Sequence, residues 1–273
     1  MARVDVMLRA ARTRLPPGEA ELLMAHVLQR SAAWLFAYGD AELEDAQAAA
    51  FLQLLERRIA GAPVAYLLGR RGFWRFDLAV TPATLIPRPE TERLVELALE
   101  RLPAQSEARV LDLGTGSGAI ALALAFERPR CRVVATDVSA DALAVASSNA
   151  RALGLGNLDF RHGDWWRPVA HERFALVASN PPYIADDDPH LAQGDLPHEP
   201  RQALASGADG LDALRTIAHG AGDHLEAGGW LLVEHGWQQG AAVRALFEAA
   251  GLCDVHTAQD LEGRDRVTLG RRG

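Results

Sequence analysis

Val110-Leu-Asp-Leu-Gly-Thr-Gly-Ser-Gly-Ala-Ile120 joins a short apolar run to three closely spaced glycines and then to an alanine- and leucine-rich stretch. The apolar run reads as a strand over Val110–Leu113, and Ile120-Ala121-Leu122-Ala123-Leu124 continues in helical context. Glycines between a strand and a helix let the backbone turn tightly and let a ligand approach the main chain. Outward from this turn the same rhythm repeats. Val133–Thr136 reads as the next strand and Ser139–Leu153 as the next helix, with Ser139 placed to cap it. Leu158–Arg161, Phe174–Ser179 and Trp230–Glu234 supply further strands, with helices near Gly210–Leu225 and Gln238–Ala250. Asp254–Thr257 and Arg266–Leu269 are two short strands with no helix between them. Alternating strands and helices predict an α/β fold with a parallel, doubly wound sheet, and the last pair predicts an antiparallel edge.

Upstream the pattern is different. Residues 1 to about 70 read as helical: Leu22, Leu23, His26 and Val27 recur at helical spacing after Pro16-Pro17-Gly18, and Phe51, Leu52, Leu55 and Ile59 do so again. Gly61-Ala62-Pro63 ends that second helix. From Phe73 to Val80 the period becomes two, with Trp74, Phe76, Leu78 and Val80 on one side, which reads as a strand forming half of a hairpin between two domains. A chain of 273 residues is long enough for two such domains. Its composition, 49% hydrophobic and 23% charged, excludes a disordered or collagen-like chain. Lys plus Arg is 28 against 36 for Asp plus Glu, a net charge of -8 that argues against a nucleic-acid partner. Cys131 and Cys253 lie far apart and outside any CxxC, so a zinc ribbon and a thioredoxin-type site are excluded, no metal is expected, and both thiols are expected reduced. The charged start, Met1-Ala-Arg-Val-Asp, and the lack of a long apolar run predict no signal peptide, no membrane span and a cytoplasmic location.

The glycine loop, Gly114, Thr115, Gly116, Ser117 and Gly118, also satisfies a loose dinucleotide fingerprint. Asp137 ends the following strand, where a carboxylate can accept both hydroxyls of a ribose. That geometry suits NAD and S-adenosylmethionine alike. Asp112 tilts the choice: a carboxylate beside the loop would repel a pyrophosphate but tolerate the cationic amino-acid end of S-adenosylmethionine. Asn180-Pro181-Pro182-Tyr183 directly follows the strand Phe174–Ser179, at the edge where open parallel sheets bind ligands. Two prolines hold the segment extended and aim its first side chain and carbonyl. The Asn180 amide oxygen and the Pro181 carbonyl form a pair of acceptors that matches the two N–H bonds of a planar –NH2 group. Holding both hydrogens turns the conjugated nitrogen lone pair toward an incoming methyl group. Tyr183 can stack on the flat face of the same group.

Taken together, Asp112-Leu-Gly-Thr-Gly-Ser-Gly-Ala-Ile120, Asn180-Pro-Pro-Tyr-Ile184 and Leu85-Ile-Pro-Arg-Pro-Glu-Thr-Glu92 closely resemble the bacterial release-factor glutamine N5-methyltransferases. Gly163-Asp-Trp165, Asp188-Pro-His190, Gln193-Gly-Asp195, Glu234-His-Gly-Trp237 and Arg266-Val-Thr-Leu-Gly270 extend the resemblance over nearly the whole chain. It implies a Rossmann-like class I methyltransferase domain with a seven-stranded sheet over residues 88–273, a β-hairpin linker over 71–87 and a small helical substrate-recognition domain over 1–70. It also implies methyl transfer from S-adenosyl-L-methionine to the glutamine side-chain amide in the Gly-Gly-Gln motif of peptide chain release factors. Carried over residue by residue, Gly114 to Gly118 and Asp137 would hold the cofactor, with Trp165 against the adenine. Asn180 would touch cofactor and substrate, and Asn180 to Tyr183 would hold the glutamine amide. A DNA amino-methyltransferase uses the same acceptor logic but is disfavoured by the net charge, and a bare dinucleotide-binding module would need only the glycine loop. Ribosomal-protein glutamine methyltransferases share the tetrapeptide, and Ile86-Pro-Arg-Pro-Glu-Thr91 favours the release-factor enzymes. Arg88, Glu90 and Glu92 read as solvated helix-start charges or as a cofactor-side or substrate clamp, His235 as structural, and Asp186-Asp187-Asp188 as a solvated loop able to serve as a substrate-contacting lid.

Overall fold

The computed structural model describes residues 2–273 and divides into two compact units, Met1–Arg70 and Arg71–Gly273. The first unit is helical: α1 (Val4–Arg12), α2 (Glu19–Leu28), α3 (Ala32–Ala37), α4 (Asp45–Ile59) and α5 (Val64–Leu68). Local chemistry sets their ends. The Ser31 hydroxyl accepts the Trp34 N–H at 3.2 Å at the start of α3, and the Gln47 side chain accepts the Glu44 N–H at 3.1 Å at the start of α4. Their apolar faces meet in a core that includes Leu8, Leu23, Met24, Phe51 and Leu55. Leu22 and Leu52, which the helical spacing groups with that face, are instead 52% and 48% exposed. Each is adjacent in sequence to a buried neighbour, and a helix turns adjacent residues about 100° apart.

The second unit opens with a two-stranded sheet, β1 (Arg70–Phe73) and β2 (Phe76–Ala79). This corrects the reading of Phe73–Val80 as one strand. The chain reverses at Trp74, whose φ of 57° is left-handed, so the alternation of Phe76, Leu78 and Val80 starts after the turn, and Trp74 is half-buried against the same apolar cluster as Phe76 and Leu78. Then follow α6 (Thr91–Arg101), β3 (Arg109–Leu113), α7 (Ala119–Glu127), β4 (Arg132–Asp137), α8 (Ala140–Ala152), β5 (Leu158–His162) and β6 (Phe174–Ser179). The remainder is α9 (Asp212–His224), β7 (Leu225–Glu234), α10 (Gly240–Ala249), β8 (Leu252–Gln259) and β9 (Asp265–Arg272). The seven-stranded sheet runs β5-β4-β3-β6-β7-β9-β8, with β9 antiparallel to both of its neighbours. This is the Rossmann-like α/β fold expected from the sequence.

Both faces of the sheet are covered, as period-two burial shows. Val110, Leu176 and Leu232 enter one apolar cluster with α6 and α7, while Leu111, Val177 and Leu231 enter the other with α9 and α10. The chain winds outward from β3 through β4 to β5, then returns to place β6 on the other side of β3. The point of reversal lies between β3 and β6, the place in such sheets where a crevice forms at the carboxyl ends. Leu113 and Ser179, the last residues of the two strands, are paired in register, and the Ser179 hydroxyl donates to the Leu113 carbonyl at 2.7 Å. Among the described residues no helix is long and apolar enough to cross a membrane.

Candidate active site

The two motifs singled out in the sequence leave the sheet from these adjacent strand ends. Gly114 and Thr115 both donate their N–H to the Thr136 carbonyl at 2.9 Å, which folds the glycine loop over the end of β4. Gly118 has φ +91°, and a Cβ there would lie 2.9 Å from Leu122 Cδ1 and 3.2 Å from Ala146 Cβ, so glycine is needed for α7 and α8 to pack. At Gly116, φ +57°, a Cβ would meet nothing within 4 Å. That open space belongs to a cavity of about 280 Å³ lined by Gly114–Ser117, Asp137, Trp165 and Asn180–Pro182, among others.

Asp137 reaches this cavity at the end of β4. Its Oδ2 accepts the Gly116 N–H at 2.9 Å and its Oδ1 the Ser139 N–H at 2.8 Å, leaving further lone pairs on both oxygens. Burial raises its pKa, against the lowering effect of these N–H bonds. Asp112 does not line the cavity, which corrects its placement beside a ligand's amino-acid end. It is 0% exposed beneath the loop, where Oδ2 accepts from the Thr115 hydroxyl at 2.6 Å and from the Ala121 N–H at 3.2 Å. Burial pushes its pKa up to about 7, and its Oδ1 has no partner among the described residues. Asp112 therefore pins the loop to the start of α7. Trp165 lines the cavity with φ 42°, a left-handed backbone unusual for a large side chain. Trp166 instead stacks on His224 at 4.6 Å, as a packing residue.

A second and larger cavity, about 940 Å³, lies beyond Asn180. Its lining includes Tyr183, Asp188, Glu234, Trp237 and Arg266, and it shares Leu85, Arg88, Asn180, Pro181 and Ala203 with the first. Nδ2 of Asn180 donates to Thr91 Oγ1 at 3.1 Å, and no described residue donates to Oδ1. Thr91 Oγ1 donates to Glu234 Oε2 at 2.7 Å, and the Tyr183 hydroxyl donates to Glu234 Oε1 at 3.3 Å. Burial raises the Tyr183 pKa, and the Glu234 charge adds to it. The Tyr183 carbonyl accepts from Gln239 Nε2 at 2.9 Å, which fixes the far end of the tetrapeptide.

Several of these residues carry no signal that the motifs alone reveal. Glu199, whose side chain is fully buried, accepts the Ile86 N–H at 2.9 Å and is ion-paired with Arg88. This clasp joins residues 83–88 to Pro200–Ala203, two segments that line the first cavity. Arg88 is thus held within the chain by Glu199 and is not a solvated helix-start charge, while Glu92 caps the hairpin by accepting the Trp74 N–H at 2.8 Å. Asn149 exchanges two hydrogen bonds with Ala79 and donates to the Ser117 carbonyl at 2.9 Å, so α8 ties hairpin to glycine loop. His235 is buried against Thr268 Oγ1 at 2.8 Å. Asp188 accepts the His190 N–H and borders the second cavity.

The family profile described as the PrmC N-terminal domain matches residues 2–69, and the one described as the methyltransferase small domain matches residues 92–210. The release factor glutamine methyltransferase of Xylella fastidiosa (strain Temecula1) is 59% identical over 97% of this chain and 96% of its own length. The chain belongs to the release factor glutamine methyltransferase family. Its relative of the same name in Escherichia coli (strain K12) is 49% identical, covering 94% of this chain and 92% of that protein. Among solved structures, a methyltransferase from Pyrococcus furiosus shares the fold at a TM-score of 0.55 and 17% identity, covering 80% of this chain and 97% of that one. A T. thermophilus 16S rRNA methyltransferase, solved with AdoMet and guanosine, also reaches 0.55 at 18% identity, covering 75% of this chain and 50% of that one. Members of the family are S-adenosylmethionine-dependent methyltransferases, and so is this chain.

Proposed function

We propose that the chain methylates the side-chain amide nitrogen of the glutamine in the Gly-Gly-Gln motif of peptide chain release factors, in the cytoplasm where these factors act. The observation that carries this reading is the meeting of the two cavities at Asn180 and Pro181. A methyl donor on one side and an acceptor amide on the other would then face each other across a rigid tetrapeptide. The relatives' shared name supplies the release factor and the glutamine.

The first cavity fits S-adenosylmethionine. Asp137 has lone pairs free for the ribose hydroxyls, Trp165 offers an indole face for the adenine, and the open space over Gly116 admits the amino-acid end. Bound there, the cofactor supplies a methyl group activated by a positively charged sulfur. The chain's own residues do the rest. Asn180 Oδ1 and the Pro181 carbonyl would accept the two amide hydrogens of the glutamine, which turns the nitrogen lone pair toward the incoming methyl and favours the partial positive charge that develops, and the one amide proton displaced by the methyl passes to solvent. Tyr183, half-buried and held by Glu234, walls the acceptor on one side. The clasp between Arg88 and Glu199 keeps the border of the cavity in place, so that the reacting groups stay aligned. Residues 1–70 are the natural source of contacts to the folded factor, because every motif the chemistry uses lies in the second unit.

The test is mass spectrometry of a release factor after incubation with this protein and labelled S-adenosylmethionine. Label on the glutamine of Gly-Gly-Gln is the expected result. Label on another residue, or on DNA in place of protein, would contradict the proposal.

A further inference from the structure

Asn180 can serve an acceptor amide in only one of its two side-chain orientations. Oδ1 must face the cavity, since only the oxygen accepts an N–H bond. The two ends of a carboxamide are nearly the same size, so shape does not choose between them. Hydrogen-bond polarity does. The Thr91 hydroxyl has one hydrogen, and it goes to Glu234 Oε2 at 2.7 Å. The Thr91 oxygen is left as an acceptor, so what Asn180 presents to it, at 3.1 Å, is the Nδ2 group. Thr91 and Glu234 are 3% and 1% exposed, so bulk water is not at hand to substitute for either partner.

We propose that Glu234, acting through Thr91, is a positioning residue that sets the polarity of this hydrogen-bond chain and so keeps Oδ1 of Asn180 turned toward the acceptor amide. The proposal rests on the reading that Asn180 holds that amide. An ionised Glu234 only accepts hydrogen bonds and enforces the productive orientation. A protonated Glu234 can donate to Thr91, which frees the Thr91 hydrogen for Asn180 Oδ1. The carboxamide then turns its NH2 toward the cavity, where it opposes the substrate's own N–H bonds.

The groups facing Glu234 come from three directions: Glu90 and Thr91 from the start of α6, Tyr183 from the loop after β6, and Arg266 from β9. His235, the next residue along β7, is bonded to Thr268, and Arg88 bears on Tyr183. Burial raises the Glu234 pKa, opposed by Thr91, Arg266 and Tyr183 and assisted by Glu90, to about 7. The productive polarity is therefore present above that pH and lost below it.

The test measures kcat with a release factor as substrate, together with cofactor affinity by calorimetry and a thermal melt for each variant. Thr91→Val keeps the shape of the side chain and removes both bonds. It should lower kcat by about 10²-fold, the scale of a misaligned reacting group, while cofactor affinity stays close to wild type. Thr91→Ser restores the hydroxyl and should recover most of the loss, which a role in packing alone would not produce. Glu234→Gln cannot ionise, so the fall in kcat below about pH 7 expected of the wild type should disappear. Wild-type kcat in Thr91→Val, equal damage in folded Thr91→Ser, or an unchanged acid limb in Glu234→Gln would each overturn the inference. Asn180→Ala separates the two levels. Its loss of transfer beside a normal Thr91→Val removes only the part assigned to Thr91 and Glu234, whereas normal transfer in Asn180→Ala removes the reading beneath it.

Discussion

On the β3–β4 side of Asn180 the first cavity rests on the glycine loop and one carboxylate, which are close in sequence, while Trp165 and the clasped segments 83–88 and 200–203 complete its wall. Gly114, Thr115 and Gly116 bond to Thr136 and Asp137, about a strand and a helix away. On the other side the second cavity is walled by side chains drawn from across the second unit, Tyr183 after β6, Glu234 from β7 and Arg266 from β9, while Thr91 of α6, which lines the first cavity, links Glu234 to Asn180. Each side also rests on one buried carboxylate, Asp112 beneath the loop and Glu234 beneath the tetrapeptide, and burial brings both to a pKa of about 7. A main-chain loop fixed by short-range bonds suits a cofactor whose shape does not vary. A site made of long-range side-chain bonds suits an acceptor amide that must be held in one orientation.

Substitutions can break this division of labour. The largest effect is expected from Asn180→Ala, which should lower turnover by about 10²–10³-fold, the cost of one preorganised group at a reacting centre. Steady-state methyl transfer to a release factor checks it, and near-wild-type turnover would remove Asn180 from the acceptor side. Asp137→Ala acts on the other side, weakening S-adenosylmethionine by about 1.5–3 kcal/mol through lost hydrogen bonds to a charged group. Calorimetry with unchanged affinity would take Asp137 out of the cofactor site.

Removal of residues 1–70 sharpens the comparison by asking how far the acceptor side extends. A Gly-Gly-Gln segment offers little side-chain surface against an ordering cost of about 1–2 kcal/mol per residue. The truncated and demonstrably folded protein should therefore lose about tenfold or more in kcat/KM toward a folded release factor, or roughly 1.4 kcal/mol. Cofactor affinity and the slow reaction with a short peptide should change much less. Full activity on the release factor would give the helical unit another purpose.

The smallest effect concerns the two buried carboxylates. Their folded-state pKa values, about 7, lie above the ordinary 3.8 of Asp and 4.5 of Glu. Between those values the folded protein holds protons that the unfolded chain has released, so these two groups make stability fall as pH rises from about 4 to about 7. Asp112→Asn should flatten that fall, read as a change in Tm of about 2–4 °C for each kcal/mol. A Tm-against-pH curve identical to the wild type would mean that Asp112 is not protonated in the folded state.

The same contrast explains what was legible in the sequence. The strand Phe174–Ser179, the cap at Ser139 and the glycine turn are local patterns, and the structure places each where the spacing put it. Asp137 and the tetrapeptide reach the crevice because strand ends are readable from apolar runs. Thr91, Asn149 and Glu199 were not legible as parts of the site. Each works through a partner between about 30 and 145 residues away, and no periodicity carries that information. Asp112 departs from its expected place for a related reason: its sequence position beside the loop does not say whether the carboxylate points into the cavity or under it, and β3 is buried on both faces. The hairpin turn at Trp74 was missed because a left-handed residue other than glycine leaves no mark in the alternation.

The central claim is that Asn180 stands between a cofactor side anchored on the glycine loop and Asp137 and an acceptor side held through Thr91 and Glu234. Calorimetric titration of S-adenosylmethionine into the Asn180→Ala protein tests it most directly. An affinity within a few-fold of the wild type, in a variant whose methyl transfer has collapsed, is the result the account predicts. A loss of affinity as large as that of Asp137→Ala would contradict it and assign Asn180 chiefly to the cofactor.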